Sequence, residues 1–253
     1  MSAQTDFINR IAPVIVTYGK AYGYKVASPI IAQACVESAF GASKLASVWN
    51  NYWGMKAGSS WKGKSVNLST KEEYTAGTLT TIKDNFRVYS SLEDGVNGYF
   101  DFISAKRYAN LKTATTPKQY LEFIKADGYA TSSTYVTTCM GVVDKYGLTV
   151  WDDFQQILTD TGTAPKQPQE ATESDKNPAP YKIPVGVVKM GSKGNEARWV
   201  QFMLNRSAAY GLTVDGKIGV KSEAAIVHFQ WKNGLQIDGK VGALTRAALM
   251  AGR

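Results

Sequence analysis

The sequence predicts an α+β protein: a mainly helical N-terminal domain with a small β-hairpin lobe, then a separate, small three-helix domain. Three observations predict it. Apolar residues recur at helical spacing through most of the N-terminal part. One stretch within 60–90 alternates instead, through Val66, Leu68 and Thr70, and turns at Thr75-Ala76-Gly77. Residues 159–180, TDTGTAPKQPQEATESDKNPAP, hold four of the eight prolines, no aromatic residue and nothing apolar larger than alanine. Such a segment cannot bury a core and reads as a flexible linker. It divides the 253 residues into domains at 1–158 and 181–253, both ordinary sizes.

The elements follow in order. Phe7, Ile8, Ile11, Ile15 and Val16 share one helical stripe behind Thr5-Asp6, read as a capping pair. Ser28-Pro29 reads as an N-cap with proline at the first helical position, opening a helix that should run to about Phe40 and stop at Gly41. The hairpin comes next. Ser90-Ser91-Leu92-Glu93 is a capping box for a helix with Leu92, Val96, Tyr99, Phe100 and Ile103 on one side. Further helices are expected from near Thr116-Pro117 and Ser133. The C-terminal domain repeats itself: DGKIG at 215–219 and DGKVG at 238–242 each precede a short helical run. Asp-Gly suits a tight turn, and a helix plus two such turn–helix units makes a compact three-helix domain.

The net charge is +8, and residues 181–253 carry +7 of it. The excess favours a polyanionic partner: nucleic acid, an anionic membrane or an acidic cell wall. Equally, it serves solubility alone. No stretch reaches the roughly 18 apolar residues of a membrane span. The first 25 residues lack a basic start, an apolar core and a small-residue cleavage site, so no signal peptide is expected. The chain is expected to be made in the cytoplasm, and either to stay there or to leave by a route that this sequence does not encode. With two cysteines and a single histidine, neither a zinc site nor a histidine-based nucleophile is expected. No metal or cofactor is implied. Cys35 and Cys139 read as small buried thiols; a pairing fits the count but not a cytoplasmically made chain. His228 reads as a packed helix histidine.

Carboxylates remain for acid–base work. Glu37 lies among small apolar neighbours in QACVESAFGASKLA, near the end of its helix. The negative end of the helix dipole and desolvation both favour the protonated carboxyl. A neutral carboxylic acid is what protonates a glycosidic oxygen. A solvated helix-surface glutamate is the plain alternative, so a second feature is needed. Strand alternation puts Glu72 on the parity of Thr70 and Glu73 on the other, and either is placed to face Glu37 across a cleft. Such pairs stand roughly 5 to 9.5 Å apart, depending on mechanism. The alternative here is a charged hairpin edge.

Five blocks in order, AQACVESAFGASKLA, NNYWGMK, STKEEY, NFRVYSSLEDGVNGYFDFI and GYATSSTYVTTCMGVVDKYGL, closely resemble the endo-β-N-acetylglucosaminidase family of bacterial autolysins, flagellar rod hydrolases and phage endolysins. The resemblance spans about residues 5–150. It implies a lysozyme-like α-lobe with a small β-lobe, and cleavage of peptidoglycan after N-acetylglucosamine. It implies Glu37 as general acid, and Glu72 or Glu73 as the second carboxylate: the threonine-x-glutamate pattern selects Glu72, and counting back from Gly77 selects Glu73. The hairpin carboxylate either activates water or assists while the substrate's acetamido group acts as nucleophile. Likeness also points to Asn51, Trp53, Phe86, Tyr89 and Tyr129 as sugar-binding residues, with core packing the alternative and Phe86 the residue it suits best. Residues 185–251 resemble the common three-helix peptidoglycan-binding domain, through MGSKGNEARWVQFMLN, GLTVDGKIG, AIVHFQWKNGLQIDGKVG and LTRAAL. The expected protein is a monomeric phage or prophage endolysin that acts on the wall after release, with bacterial peptidoglycan as its partner and no nucleic acid or membrane insertion. A muramidase cutting the other glycosidic bond, and a non-catalytic wall-binding protein, are the rival readings.

Overall fold

The computed structural model describes residues 2–75, 78–152, 177–208 and 210–252, with the side chains of 70–82 left aside. The N-terminal part is mainly helical with one two-stranded antiparallel sheet, and the C-terminal part adds three helices among the described residues, as the patterning predicts. Most of the segment expected as a linker lies outside the described residues. Among the described residues no helix is long and apolar enough to cross a membrane.

Helix α1 (Ala3–Ala21) buries the predicted stripe of Phe7, Ile8, Ile11, Ile15 and Val16. Its cap is Ser2, whose hydroxyl accepts from Thr5 N–H, so the helix starts ahead of the Thr5-Asp6 pair. Helix α2 (Ser28–Glu37) is buried on nearly every side from Ser28 to Cys35. Ser28 does not cap it: Ala27 is the N-cap residue and makes no side-chain cap bond. Asp152, remote in sequence, supplies the acceptors. Its Oδ1 takes the Ala27 and Ser28 N–H groups at 2.6 and 2.7 Å, and its Oδ2 takes the Ser28 hydroxyl at 2.7 Å. A carboxylate at a helix N-terminus satisfies orphan donors and meets the positive end of the dipole.

Helix α2 also ends earlier than the sequence suggests. It stops at Glu37, not Phe40. Ser38 Oγ donates to Ala34 O at 2.5 Å and accepts from Gly41 N–H at 2.7 Å. Ala39 and Phe40 then take positive φ values of 50° and 54°, ahead of Gly41 at 77°. Left-handed backbone at non-glycine residues costs on the order of 1–3 kcal/mol each and gathers at functional sites. The strain ends the helix directly after Glu37.

Helix α3 (Lys44–Trp49) leads to the hairpin of β1 (Ser65–Thr75) and β2 (Thr78–Arg87). Pairing is antiparallel and unbroken from Ser65↔Arg87 to Glu73↔Leu79, and a bulge falls between Glu73 and Thr75. Helix α4 (Leu92–Ile103) is capped by Ser91, which accepts from Asp94 N–H, so the cap lies one residue beyond the predicted box. A 3₁₀ segment (Lys106–Thr113) precedes α5 (Pro117–Ala126), capped by Thr116 as expected, and α6 (Tyr135–Tyr146). Cys35 and Cys139 are buried and free.

In the C-terminal part, α7 (Asn195–Ala208), α8 (Val220–Lys232) and α9 (Ala243–Met250) give the internal echo a physical reason. Each Asp-Gly-Lys turn is latched by a glutamine of the preceding helix. Gln201 accepts Gly216 N–H and points its amide nitrogen at Asp215 Oδ1 and Lys217 O, at 2.8 to 3.0 Å. Gln230 does the same for Gly239 N–H, Asp238 Oδ1 and Lys240 O, each at 2.9 Å. Both central glycines have positive φ, 77° and 65°, which a side chain would resist.

His228 is buried in α8, with Nδ1 2.8 Å from the Tyr210 hydroxyl. Burial, and secondarily Lys232, lower its pKa from 6.5 to about 4. The folded form therefore holds a neutral imidazole that the unfolded chain protonates below pH 6.5. Stability falls as pH drops from 6.5 towards 4, by up to about 3 kcal/mol. Burial of Glu223 raises its carboxyl and acts in the opposite sense. Thermal melts of wild type and His228→Gln across this window isolate the histidine: the wild-type slope should be steeper.

Candidate active site

Glu37 is the last residue of α2, so its carboxyl stands at the negative end of that helix. It faces a cleft of about 870 Å³. One wall comes from the hairpin side, with Leu68, Ser69 and Phe86; another comes from Phe102, Arg107, Tyr108 and the Gly128–Ser132 loop. Trp53 and Tyr135 complete the aromatic lining. By accessible area Glu37 is exposed, yet protein crowds most of the space around its carboxyl. Crowding governs the hydration of the charge, so burial pushes this carboxyl above its ordinary range. The neighbouring Tyr135 hydroxyl pulls it part of the way back. The group is thus open to substrate on one side and poorly hydrated on the others.

Three of the sugar-binding candidates line the cleft: Trp53, Phe86 and Tyr129. Trp53 is only 3% exposed and stacks on Tyr99, with ring centroids 4.3 Å apart. Tyr129 directs its hydroxyl towards Trp53 O at 3.4 Å. Phe86 is mostly buried and contributes an apolar edge. Asn51 and Tyr89 stand behind the lining. Asn51, 1% exposed, accepts Met55 N–H at 2.8 Å and donates to Met55 O and Arg87 O, both at 2.9 Å. It ties the loop carrying Trp53 to the end of β2. Tyr89 packs its ring against Gly98 of α4, where a Cβ would come within 2.6 Å of it. The side chains of Glu72 and Glu73 lie outside the described residues.

Sequence reasoning missed Tyr135, Arg107 and Lys56 on the cleft walls. Lys56 pairs with Asp84 at 3.0 Å, which lowers the Asp84 carboxyl below its usual range. Tyr135 had a signal: it stands four residues before Cys139, at helical spacing, in the block that carries Tyr129.

A helical lobe and a hairpin flank an aromatic cleft onto which a crowded carboxylic acid opens, an arrangement suited to acid–base work. The chain belongs to the glucosaminidase family: residues 12–148 match the model described as mannosyl-glycoprotein endo-beta-N-acetylglucosaminidase. Residues 193–249 match a putative peptidoglycan-binding domain. Among curated proteins, the chain is 31% identical over 134 residues to the exo-glucosaminidase LytG of Bacillus subtilis, covering 51% of this chain and 46% of that protein. It is 32% identical over 121 residues to the peptidoglycan hydrolase FlgJ of Salmonella typhimurium, covering 46% of this chain and 38% of that one. The matched region therefore spans less than half the length of either relative. Among solved structures, the catalytic domain of the autolysin Auto from Listeria monocytogenes superposes with a TM-score of 0.52 at 29% identity, covering 60% of this chain and 88% of that one. A mutant peptidoglycan hydrolase from Sphingomonas sp. A1 gives 0.51 at 28%, covering 56% and 94%.

Proposed function

We propose that the protein hydrolyses the glycan of bacterial peptidoglycan at the β-1,4 bond after N-acetylglucosamine, with Glu37 as general acid. The observation that carries this reading is the placing of Glu37: last residue of a buried helix, crowded by protein, and open to a cleft lined by Trp53, Phe86 and Tyr129. The neutral carboxyl donates its proton to the leaving oxygen, and the aromatic lining gives the sugar an apolar wall beside it. The hairpin carboxylate, Glu72 or Glu73, completes the pair. The likeness to a peptidoglycan-binding domain supports a wall-holding role for the C-terminal part, and its +7 charge suits an anionic wall. The setting we favour is a monomeric phage or prophage endolysin, made in the host cytoplasm and reaching the wall at lysis.

Digestion of purified sacculi followed by mass spectrometry tests the reading. New reducing ends should be N-acetylglucosamine. Reducing N-acetylmuramic acid would make the enzyme a muramidase, and intact glycan would make it a wall-binding protein without catalysis.

A further inference from the structure

A line of buried donors runs through the helical lobe and ends at Glu37. Tyr120 Oη lies 3.1 Å from Tyr99 Oη. Tyr99 Oη donates to Gln33 Oε1 at 2.8 Å, and Gln33 Nε2 donates to Tyr135 Oη at 2.7 Å. Tyr135 lines the same cleft as Glu37, and its hydroxyl lowers that carboxyl. The members come from four helices, α5, α4, α2 and α6. Tyr99, Tyr120 and Gln33 are fully buried, and Tyr135 nearly so.

Counting protons gives the line a direction. The Tyr99 proton is committed to Gln33, so the hydrogen between the two tyrosines belongs to Tyr120. The Gln33 amide uses its oxygen on Tyr99 and its nitrogen on Tyr135. Tyr135 therefore already accepts a bond, and its own proton faces two neighbours, the Glu37 carboxylate and the Cys139 thiol, of which the carboxylate is the far stronger acceptor. Reversing the amide would set its NH₂ against the Tyr99 hydroxyl and draw the Tyr135 proton away from Glu37. Gln33 and Glu37 are one turn apart on α2, so both face the start of α6. Every donor points the same way, and such chains polarise one another in a low-dielectric interior.

We propose that Tyr135 is a positioning residue for Glu37: the line Tyr120–Tyr99–Gln33–Tyr135 fixes the orientation of the Glu37 carboxyl and stabilises the carboxylate left when its proton passes to the glycosidic oxygen. The water that adds its hydroxyl to the anomeric carbon supplies the proton that restores the acid. Without the line, the crowded carboxyl would hold its proton more firmly and give it up less readily. The role of Glu37 in this step rests on the function proposed above. Other titratable groups near Glu37 are Tyr129 and Cys139, which sense its charge, and Lys56 and Arg107 on the cleft walls. The hairpin strand β1 carries Glu72 and Glu73.

The test is the pH dependence of Glu37 in Tyr135→Phe, which removes one hydroxyl and keeps the ring. Activity that needs protonated Glu37 falls as pH rises through its pKa. Losing a donor to the carboxylate raises that pKa, so the alkaline limb of kcat/KM should move up by about 1 to 2 pH units, the equivalent of one hydrogen bond to a charged group. Activity at the optimum should fall about tenfold. Tyr120→Phe, at the far end of the line and fully buried, should shift the limb the same way by less. A packing role alone would lower stability and leave the limb in place, and an unmoved limb in folded Tyr135→Phe would overturn the proposal. Should that variant not fold, Tyr120→Phe decides on the same criterion. Carboxyl ¹³C titration of Glu37 reads the effect without activity. If Glu37→Gln stayed active, the acid assignment would fail, yet the titration would still judge the line: a midpoint that rises in Tyr135→Phe supports it, and an unchanged midpoint sinks it.

Discussion

Glu37→Gln should reduce cleavage of purified wall glycan by at least about 10²–10⁴-fold while leaving the fold intact, the span expected when an acid–base group is lost. The amide keeps the size of the acid and its place at the end of α2. It keeps an acceptor oxygen beside Tyr135, but it has no acidic proton for the leaving oxygen. It also relieves a cost, because a crowded carboxyl is hard to ionise and an amide is not. The variant should therefore melt at or slightly above the wild-type temperature. Loss of activity with retained stability separates the chemical role from a packing role. Near wild-type activity in a folded Glu37→Gln would remove Glu37 as the acid. The pH profile supplies a second reading. Because burial raises the Glu37 carboxyl, wild-type activity should persist above the ordinary glutamate range before its alkaline decline. A decline near pH 4.5 would mean that the crowding has no electrostatic effect.

The place of Glu37 was legible because its local cues agree. Small apolar neighbours, a nearby glycine and the helical pattern all set a carboxyl at the end of a buried helix. The end itself was misplaced by three residues. Gly41 is the usual stop signal, but Ser38 captures Ala34 O and Gly41 N–H with one hydroxyl, and Ala39 and Phe40 accept left-handed backbone that their side chains disfavour. No propensity rule anticipates such strain. Asp152 was illegible for a different reason. It caps α2 from more than a hundred residues away in sequence, a relation that only the fold creates. The donor line to Glu37 is similar: Gln33 and Tyr135 are 102 residues apart. Asn51 shows the reverse case. A polar residue in a recognised block looked ready for substrate, and the structure shows its amide engaged by the backbone of Met55 in its own loop and of Arg87 at the end of β2.

Glu72→Gln should cost far more activity than Glu73→Gln, on the order of 10²–10⁴-fold if Glu72 directs water or supports the reacting acetamido group. The expectation rests on register. Leu68 and Phe86 line the cleft from one parity of the hairpin, since Val66 pairs with Phe86, and the small Ser69 reaches it from the other. In an antiparallel pair that parity alternates strictly unless a bulge interrupts it. The pairing is unbroken from Ser65 to Glu73, and the bulge falls after Glu73, beyond both carboxylates. Glu72 therefore keeps the parity of Leu68, and Glu73 takes the other. The bulge also accounts for the conflict in the sequence. Counting back from Gly77 crosses the irregular step and lands on Glu73, whereas counting forward from Val66 stays on regular strand and lands on Glu72. Kinetics of the two single variants on the same wall preparation give the answer. A larger loss in Glu73→Gln would mean that substrate binding shifts the register by one residue. Small, equal losses in both would leave Glu37 as the only essential carboxylate and point to the substrate's own acetamido group as the nucleophile.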